Sequence, residues 1–149
     1  MTVKAFLKYM FLFLCGGTIY YLIELLWRGH SHWTMFLLGA MIFLYAGLQN
    51  ENVSWDYPFL KQLLKVWIIT ICLEYDVGFI VNKCLGWNVW DYSNVVLHLG
   101  NITIPLHLFG QVCLPYAILF IPLCAFAIVL DDVIRYIFFG EEKPHYKFF

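Results

Sequence analysis

Residues 66–82 read VWIITICLEYDVGFIVN, an almost wholly apolar stretch that lies between Lys65 and Lys83 and contains two acidic residues, Glu74 and Asp76. A charged side chain at the centre of a bilayer costs at least about 2.5 kcal/mol on insertion scales, and such groups usually face a protein interior or a water-filled cavity. The stretch therefore predicts a membrane helix, and Glu74 is the first candidate for a functional residue.

The composition of the whole chain points to the same class of protein. Hydrophobic residues make up 62% of the 149 residues and charged residues 13%, whereas soluble domains are roughly half apolar and a quarter charged. We predict a single-domain, multi-pass protein of the cell membrane over residues 1–149, with membrane lipids around it. The net charge of −1 and the lack of a dense Lys/Arg run argue against a nucleic-acid partner.

Four segments are long enough to cross a hydrocarbon core, which takes about 20 helical residues. They are Phe6 to Trp27, Trp33 to Leu48, Phe59 to Leu85 and Gln111 to Leu130. The predicted fold class is therefore an all-α bundle of four transmembrane helices. The segment from Val95 to Leu108 is predicted to lie on or dip into the outer leaflet as a lid over the bundle, and Asp131 to Phe139 to form a short amphipathic helix.

Basic residues orient this predicted bundle. Seven of them fall on one side of the membrane: Lys4, Lys8, Lys61, Lys65, Arg135, Lys143 and Lys147. Arg28 and Lys83 fall on the other side. The positive-inside rule therefore predicts that both termini are cytoplasmic.

Helical spacing separates the acidic residues into different environments. Glu24 precedes Arg28 by four residues, which is the favourable order for an ion pair. Asp76 lies about 200° around the helix from Glu74, so the two carboxylates are not a side-by-side pair. Desolvation favours the neutral form of Glu74, whose expected partners are Arg28 or a histidine of the outer loops. The alternative is a purely structural carboxyl that bonds a neighbouring helix.

The outer connection after the third helix contains Trp90, Asp91, Tyr92 and Ser93. Trp and Tyr collect at the headgroup level of membranes, so these aromatic residues suit an interfacial belt. The polar residues beside them equally suit a binding site over the bundle.

Four histidines fall on the predicted outer side: His30, His32, His98 and His107. A four-imidazole metal site is an alternative for them, but their spacing does not match that of zinc sites. The chain also lacks a phosphate-binding loop. We therefore predict neither a metal nor a cofactor.

Several short motifs resemble a known family. They are WRGHSHWTM (27–35), LEY (73–75) with Gly78, WDYS (90–93), GQVCL (110–114), LDD (130–132) and GEEKPHY (140–146). They are similar to the small membrane proteins called ABC transporter permeases of the CmpB type, and to the transmembrane protein 229 group. The resemblance implies four helices and a transporter-like role. This chain differs in a longer stretch from Asn94 to Phe109.

The sequence is compatible with three functions. The first is a permease or transporter-like protein that works as a homo-oligomer or with a separate ATPase, with Glu74 as a binding or proton-relay group. The second is a membrane-embedded enzyme that acts on a lipid or an isoprenoid, and the third is a non-catalytic binding or regulatory subunit. The candidate site residues are Glu74, Asp76, Glu24, Arg28, Trp90, Asp91, Tyr92, Ser93 and Gln111.

Overall fold

A computed structural model of the chain describes residues 2–148 and is mostly helical. Its four α-helices are α1 (Val3–Arg28), α2 (Trp33–Asn52), α3 (Phe59–Gly78) and α4 (Leu114–Phe139). Of these, α1, α2 and α4 are long and apolar enough to cross a membrane, as the sequence predicts. Helix α3 is as long as α2 but carries four charged side chains, Lys61, Lys65, Glu74 and Asp76.

Consecutive helices run in opposite directions, so the bundle has two distinct ends. The loop end holds the turn at 29–32 and the connection at 85–113, and the tail end holds residues 53–58 and 140–148. The first turn is sharp because Gly29 adopts a φ of +74°, a left-handed conformation that ends α1. This connectivity brings the C-terminus of α1 and the N-terminus of α4 to the same end.

Glycines let α1 and α2 approach each other closely. A Cβ atom on Gly16 of α1 would overlap the side chain of Phe43 on α2, and one on Gly39 of α2 would overlap Tyr20 on α1. Small residues at such crossings are the usual device by which membrane helices pack. The pair α1 and α2 is therefore closely packed at these glycines.

The third helix changes geometry near its C-terminal end. After Gly78 the chain continues as a π-helical segment, Phe79–Cys84, so the predicted span from Phe59 to Leu85 is divided into two helical types. The side chain of Asn82 in this segment accepts hydrogen bonds from the backbone N–H groups of Val89 (2.7 Å) and Trp90 (3.5 Å). The π-helical segment thus places Asn82 where its side chain binds the backbone at the start of the outer connection.

The prediction of a separate amphipathic helix from Asp131 to Phe139 is wrong. Helix α4 runs without a break to Phe139, and it starts at Leu114 rather than at Gln111 because residues 112–113 pair as a strand. Asp131 and Asp132 are buried in the bundle instead of marking a solvated face. Their charged and polar partners lie on α2, α4 and the C-terminal segment. Because these partners bind the buried carboxylates, the helix can continue through them.

The outer connection departs from the predicted all-α fold. Strand β1 (Val96–Leu99) pairs antiparallel with β2 (Ile102–Pro105), and β3 (His107–Leu108) pairs with β4 (Val112–Cys113). Gly100 has a φ of +61° in the two-residue turn of the first hairpin, which a residue without a side chain adopts at little cost. Most of the first hairpin is exposed rather than packed over the bundle. The predicted lid is therefore not formed by these strands.

Candidate functional site

Glu74 lies at the centre of the loop-end half of the bundle and is 2% exposed. Its Oε1 accepts a 3.4 Å hydrogen bond from the hydroxyl of Tyr92 in the outer connection. Its Oε2 has no hydrogen-bond partner within residues 2–148. The partner therefore comes from the outer connection, as predicted, but it is a tyrosine rather than Arg28 or a histidine.

A second polar group lies beside it at the end of α1. Arg28 Nη1 donates to Glu24 Oε1 at 2.9 Å, as the four-residue spacing predicts, and Arg28 Nη2 donates to the carbonyl of Val89 at 3.1 Å. The other oxygen of Glu24 accepts a 2.7 Å hydrogen bond from Ser31. The pair thus ties α1 to the following turn and to the outer connection.

Trp90 and Gln111 hold the outer connection in place. The indole N–H of buried Trp90 donates to the backbone carbonyl of Gln111 at 2.9 Å. The Gln111 side chain is fully buried, accepts from the amide of Asn82 at 2.9 Å and donates to the carbonyl of Phe109 at 3.1 Å. Both side chains pack so closely against Gly78 that a Cβ atom there would lie 2.8 Å from each. We assign these two candidates a structural role.

Asp91 and Ser93 form a local turn on either side of Tyr92. The Ser93 backbone N–H donates to Asp91 Oδ1 at 2.9 Å and its hydroxyl donates to the same oxygen at 2.5 Å. These hydrogen bonds lower the pKa of Asp91. Asp91 is exposed, so the turn positions Tyr92 while its own carboxylate stays in solvent.

The remaining sequence candidates lie elsewhere. Asp76 is exposed on a different face of α3 from Glu74, as the spacing predicts. His98 contacts the Thr103 hydroxyl at 3.1 Å, and His107 accepts from the Gly110 backbone at 3.1 Å. In the part of the chain that the structure describes, no three His, Cys, Asp or Glu side chains form a group that could hold a metal ion. The four-imidazole alternative therefore has no geometric support.

An open groove between α1 and α4 reaches this polar group. Its cavity has a volume of about 160 Å³, and its polar lining at the loop end includes Glu24, Arg28, Tyr92 and Tyr116. A smaller apolar cavity of about 50 Å³ continues toward the middle of the bundle. The two cavities share four lining residues, Tyr20, Ile23, Phe120 and Leu123. The groove is thus polar at one end and apolar along the rest.

Comparison of the chain with protein-family models, curated proteins and solved structures found no match.

Tyr92 connects Glu74 with the groove. Its ring stacks on Tyr116 with centroids 4.9 Å apart and lines the groove, while its hydroxyl points to the buried carboxyl. Burial and the nearby carboxylate of Glu74 raise the pKa of Tyr92 well above its usual value. A neutral tyrosine hydroxyl can donate one hydrogen bond and accept others. Tyr92 can therefore relay an interaction between Glu74 and a molecule in the groove.

A separate cavity of about 210 Å³ lies on the other side of the ion pair. Its lining includes His30, His32, Trp87 and both members of the Glu24 and Arg28 pair. The rings of His32 and Trp87 are 5.6 Å apart there. The ion pair therefore stands between this cavity and the groove.

The sequence reasoning missed a second buried polar cluster, at the tail end. Arg135, which is 2% exposed, bonds both Asp131 on its own helix and Glu51 on α2. Asp132 accepts from Asn50 on α2. One signal was readable: Phe120, Cys124, Ile128, Asp131 and Arg135 recur every three or four residues and share one helix face.

Glu74→Gln is expected to change the free energy of unfolding by less than about 1 kcal/mol, because glutamine keeps the acceptor for Tyr92 and loses no existing hydrogen bond. Glu74→Leu has a similar size but leaves the Tyr92 hydroxyl unpaired, which costs about 1–3 kcal/mol. Denaturant unfolding of both variants in detergent measures the difference. Equal destabilisation would show that the Tyr92 contact is unimportant. Any activity that requires titration of this carboxyl would be lost in the glutamine variant.

Proposed function

We propose that the protein binds a lipid-like molecule in the groove between α1 and α4, with the polar head at Glu24, Arg28, Tyr92 and Tyr116. The observation that carries the proposal is the division of the groove into one polar end and an apolar part. An apolar chain gains about 0.8 kcal/mol for each buried methylene group, and the polar end offers both donors and acceptors to a head group.

The burial of Glu74 favours binding as the basic activity. Its carboxyl is not part of the groove wall, and Tyr92 stands between the two. A bound head group would therefore contact Tyr92 and not Glu74. The hydrogen bond to Glu74 would orient the Tyr92 hydroxyl. The membrane-enzyme alternative would use the same groove, with Glu74 acting through Tyr92.

The membrane arrangement that we propose has four spans, and α3 is the span that buries one face, with Val66, Thr70 and Glu74, against the bundle and leaves Leu64 and Ile68 exposed. Glu74 points into the protein and not toward lipid, as a carboxyl at bilayer depth requires. The tail end faces the cytoplasm in agreement with the positive-inside rule. The first hairpin then lies at the outer interface with Trp27, Trp33 and Trp87, where its uncharged strands contact the headgroup region.

A transporter-like role is the second candidate, and one observation favours it. Glu24 and Arg28 line both the groove and the cavity that contains His30 and His32. Separation of the ion pair would join the two spaces and give a head group a path from the groove to the loop end. It stays a prediction that the protein is a permease of the CmpB type, that it forms a homo-oligomer or that it works with a separate ATPase.

Leu123→Trp is expected to abolish most lipid retention, because Leu123 lines both cavities of the groove and an indole would fill them. Native mass spectrometry of the full chain, extracted in mild detergent, measures the bound lipid. Ile118→Trp is the matched control, since Ile118 lies on the same helix but is 56% exposed. We expect a loss of at least about tenfold in the lipid-bound fraction for Leu123→Trp, equivalent to about 1.4 kcal/mol.

Equal lipid retention in the two tryptophan variants would contradict the proposal. Both variants must first show the helical circular dichroism of the parent chain, so that unfolding is separated from loss of binding. A reverse test adds a photoreactive fatty acid to the parent protein. Crosslinks at Ile23 or Phe120 support the groove, and crosslinks restricted to the outer faces of the helices exclude it.

A further inference from the structure

The tail end contains a polar cavity of about 160 Å³ that the proposed lipid groove does not include. Its walls come from α2, the turn after α2, α4 and the C-terminal segment. Its polar and aromatic lining includes Asn50, Glu51, Trp55, Asp132, Arg135 and Glu142. One molecule occupies about 30 Å³ in liquid water, so the cavity has room for about five waters or for a molecule of a few heavy atoms.

The carboxylates of this cavity differ in their partners. Glu51 is neutralised by Lys8, at 2.6 Å, and by Arg135. Asp132 instead accepts hydrogen bonds from two neutral donors, the Asn50 amide and the Tyr146 hydroxyl, the latter at 2.7 Å. No ion pair to Asp132 occurs among residues 2–148. The Asp132 side of the cavity therefore favours a cation.

Two further groups at the cavity lack partners. Arg135 is 2% exposed, yet its Nη2 has no hydrogen-bond partner among the described residues, and neither has Oδ1 of Asn50. Such buried groups cost about 1–3 kcal/mol each when they stay unsatisfied. One is a donor and the other an acceptor. A ligand that satisfies both must itself carry a donor and an acceptor.

The C-terminal segment forms one wall of this cavity. The indole N–H of Trp55 donates to Glu142 at 3.0 Å, and the backbone N–H of Phe59 donates to the carbonyl of Lys147 at 2.7 Å. The ring of Tyr146 lies 5.0 Å from that of Phe59. The segment is thus attached to the bundle at Glu142 and at Lys147, and Glu142 contributes a carboxylate to the cavity wall.

We propose that this cavity binds a small primary amine with a neighbouring oxygen acceptor, of the ethanolamine type. The ammonium group is held by Asp132 and by Oδ1 of Asn50, and the oxygen accepts from Nη2 of Arg135. Trp55 supplies an aromatic wall that suits a cation. The same chemistry occurs in free amino alcohols and in the head group of an aminophospholipid of the adjacent leaflet.

Isothermal titration of the full chain in detergent with ethanolamine tests this site. We expect saturable binding that Asp132→Asn weakens at least about tenfold, because a charged hydrogen bond is lost. Glu142→Gln, at a side chain that is 67% exposed, keeps the fold and should also weaken binding. Asp56→Asn is the matched control, since Asp56 is exposed at the same end and does not line the cavity.

Two comparisons identify the groups that are recognised and the source of the ligand. Ethylamine, which lacks the oxygen, should bind more weakly than ethanolamine, and ethylene glycol, which lacks the amine, should not bind.

In nanodiscs with phosphatidylethanolamine, the response to free ethanolamine should disappear if the lipid head group occupies the site, and persist if the ligand is a free amine. Absence of saturable ethanolamine binding, or equal binding by the Asp132 and Asp56 variants, would overturn the proposal. Equal binding of ethylamine would overturn the role of Arg135.

Discussion

Arg135→Ala is expected to lower the free energy of unfolding by about 4 kcal/mol, the range found when one partner of a buried ion pair is removed. Arg135 and Asp131 have side chains that are 3% and 0% exposed, and Arg135 also bonds Glu51. The alanine variant would leave the carboxylate of Asp131 buried without a cation. It would also disconnect α4 from α2 at the tail end.

Denaturant unfolding of the full chain in detergent measures this effect. Lys143→Ala is the control, because Lys143 is exposed on the C-terminal segment and its removal leaves the cluster intact. Arg135→Lys should lie between the two, since it keeps the charge but not the planar guanidinium that reaches two carboxylates. A loss for Arg135→Ala no larger than that for Lys143→Ala would contradict the assignment of a buried ionic cluster.

Arg28→Ala is expected to lower the free energy of unfolding by about 3 kcal/mol. The side chains of Arg28 and Glu24 are 22% and 10% exposed, so the pair is somewhat better solvated than the one at Arg135. The variant loses the bond to Glu24 and the one to the carbonyl of Val89. The end of α1 would then no longer be bonded to the outer connection through Val89.

Lys61→Ala is the control for this variant, because Lys61 is exposed on α3 and should contribute little. The same unfolding measurement applies to both proteins. Equal losses for the Arg28 and Lys61 variants would show that the ion pair does not support the loop end. A double variant with Glu24→Gln should recover part of the loss, since it removes the carboxylate that Arg28→Ala leaves unpaired.

Much of the helical architecture could be predicted because it rests on local patterns. Runs of about 20 apolar residues indicate spans, and among residues 2–148 three helices are long and apolar enough to cross a membrane. The pairing of Glu24 with Arg28 also follows from spacing within one helix. The inward direction of Glu74 follows from the high cost of a carboxyl in lipid.

The remaining features depend on contacts between distant segments. Tyr92 and Glu74 are 18 positions apart and meet only because the π-helical segment and Asn82 bring the chain back over the bundle. The segment from Val95 to Leu108 is predicted as a lid on the outer leaflet, whereas residues 96–105 form a hairpin whose strand pairing is not readable from local composition. Residues 131–139 are predicted as a separate amphipathic helix, and the burial of Asp131 and Asp132 depends on Arg135 of the same helix and on partners in α2 and the C-terminal segment.

The position of Glu24 and Arg28 between two cavities has a thermodynamic consequence. Any molecule in the cavity with His30 and His32 that changes the contacts of Arg28 also changes the wall of the groove. Linkage then requires that occupancy of the groove alter the affinity for that molecule by the same factor. A lipid held between α1 and α4 would thereby be sensed at the opposite side of a single ion pair, without any movement of the helices.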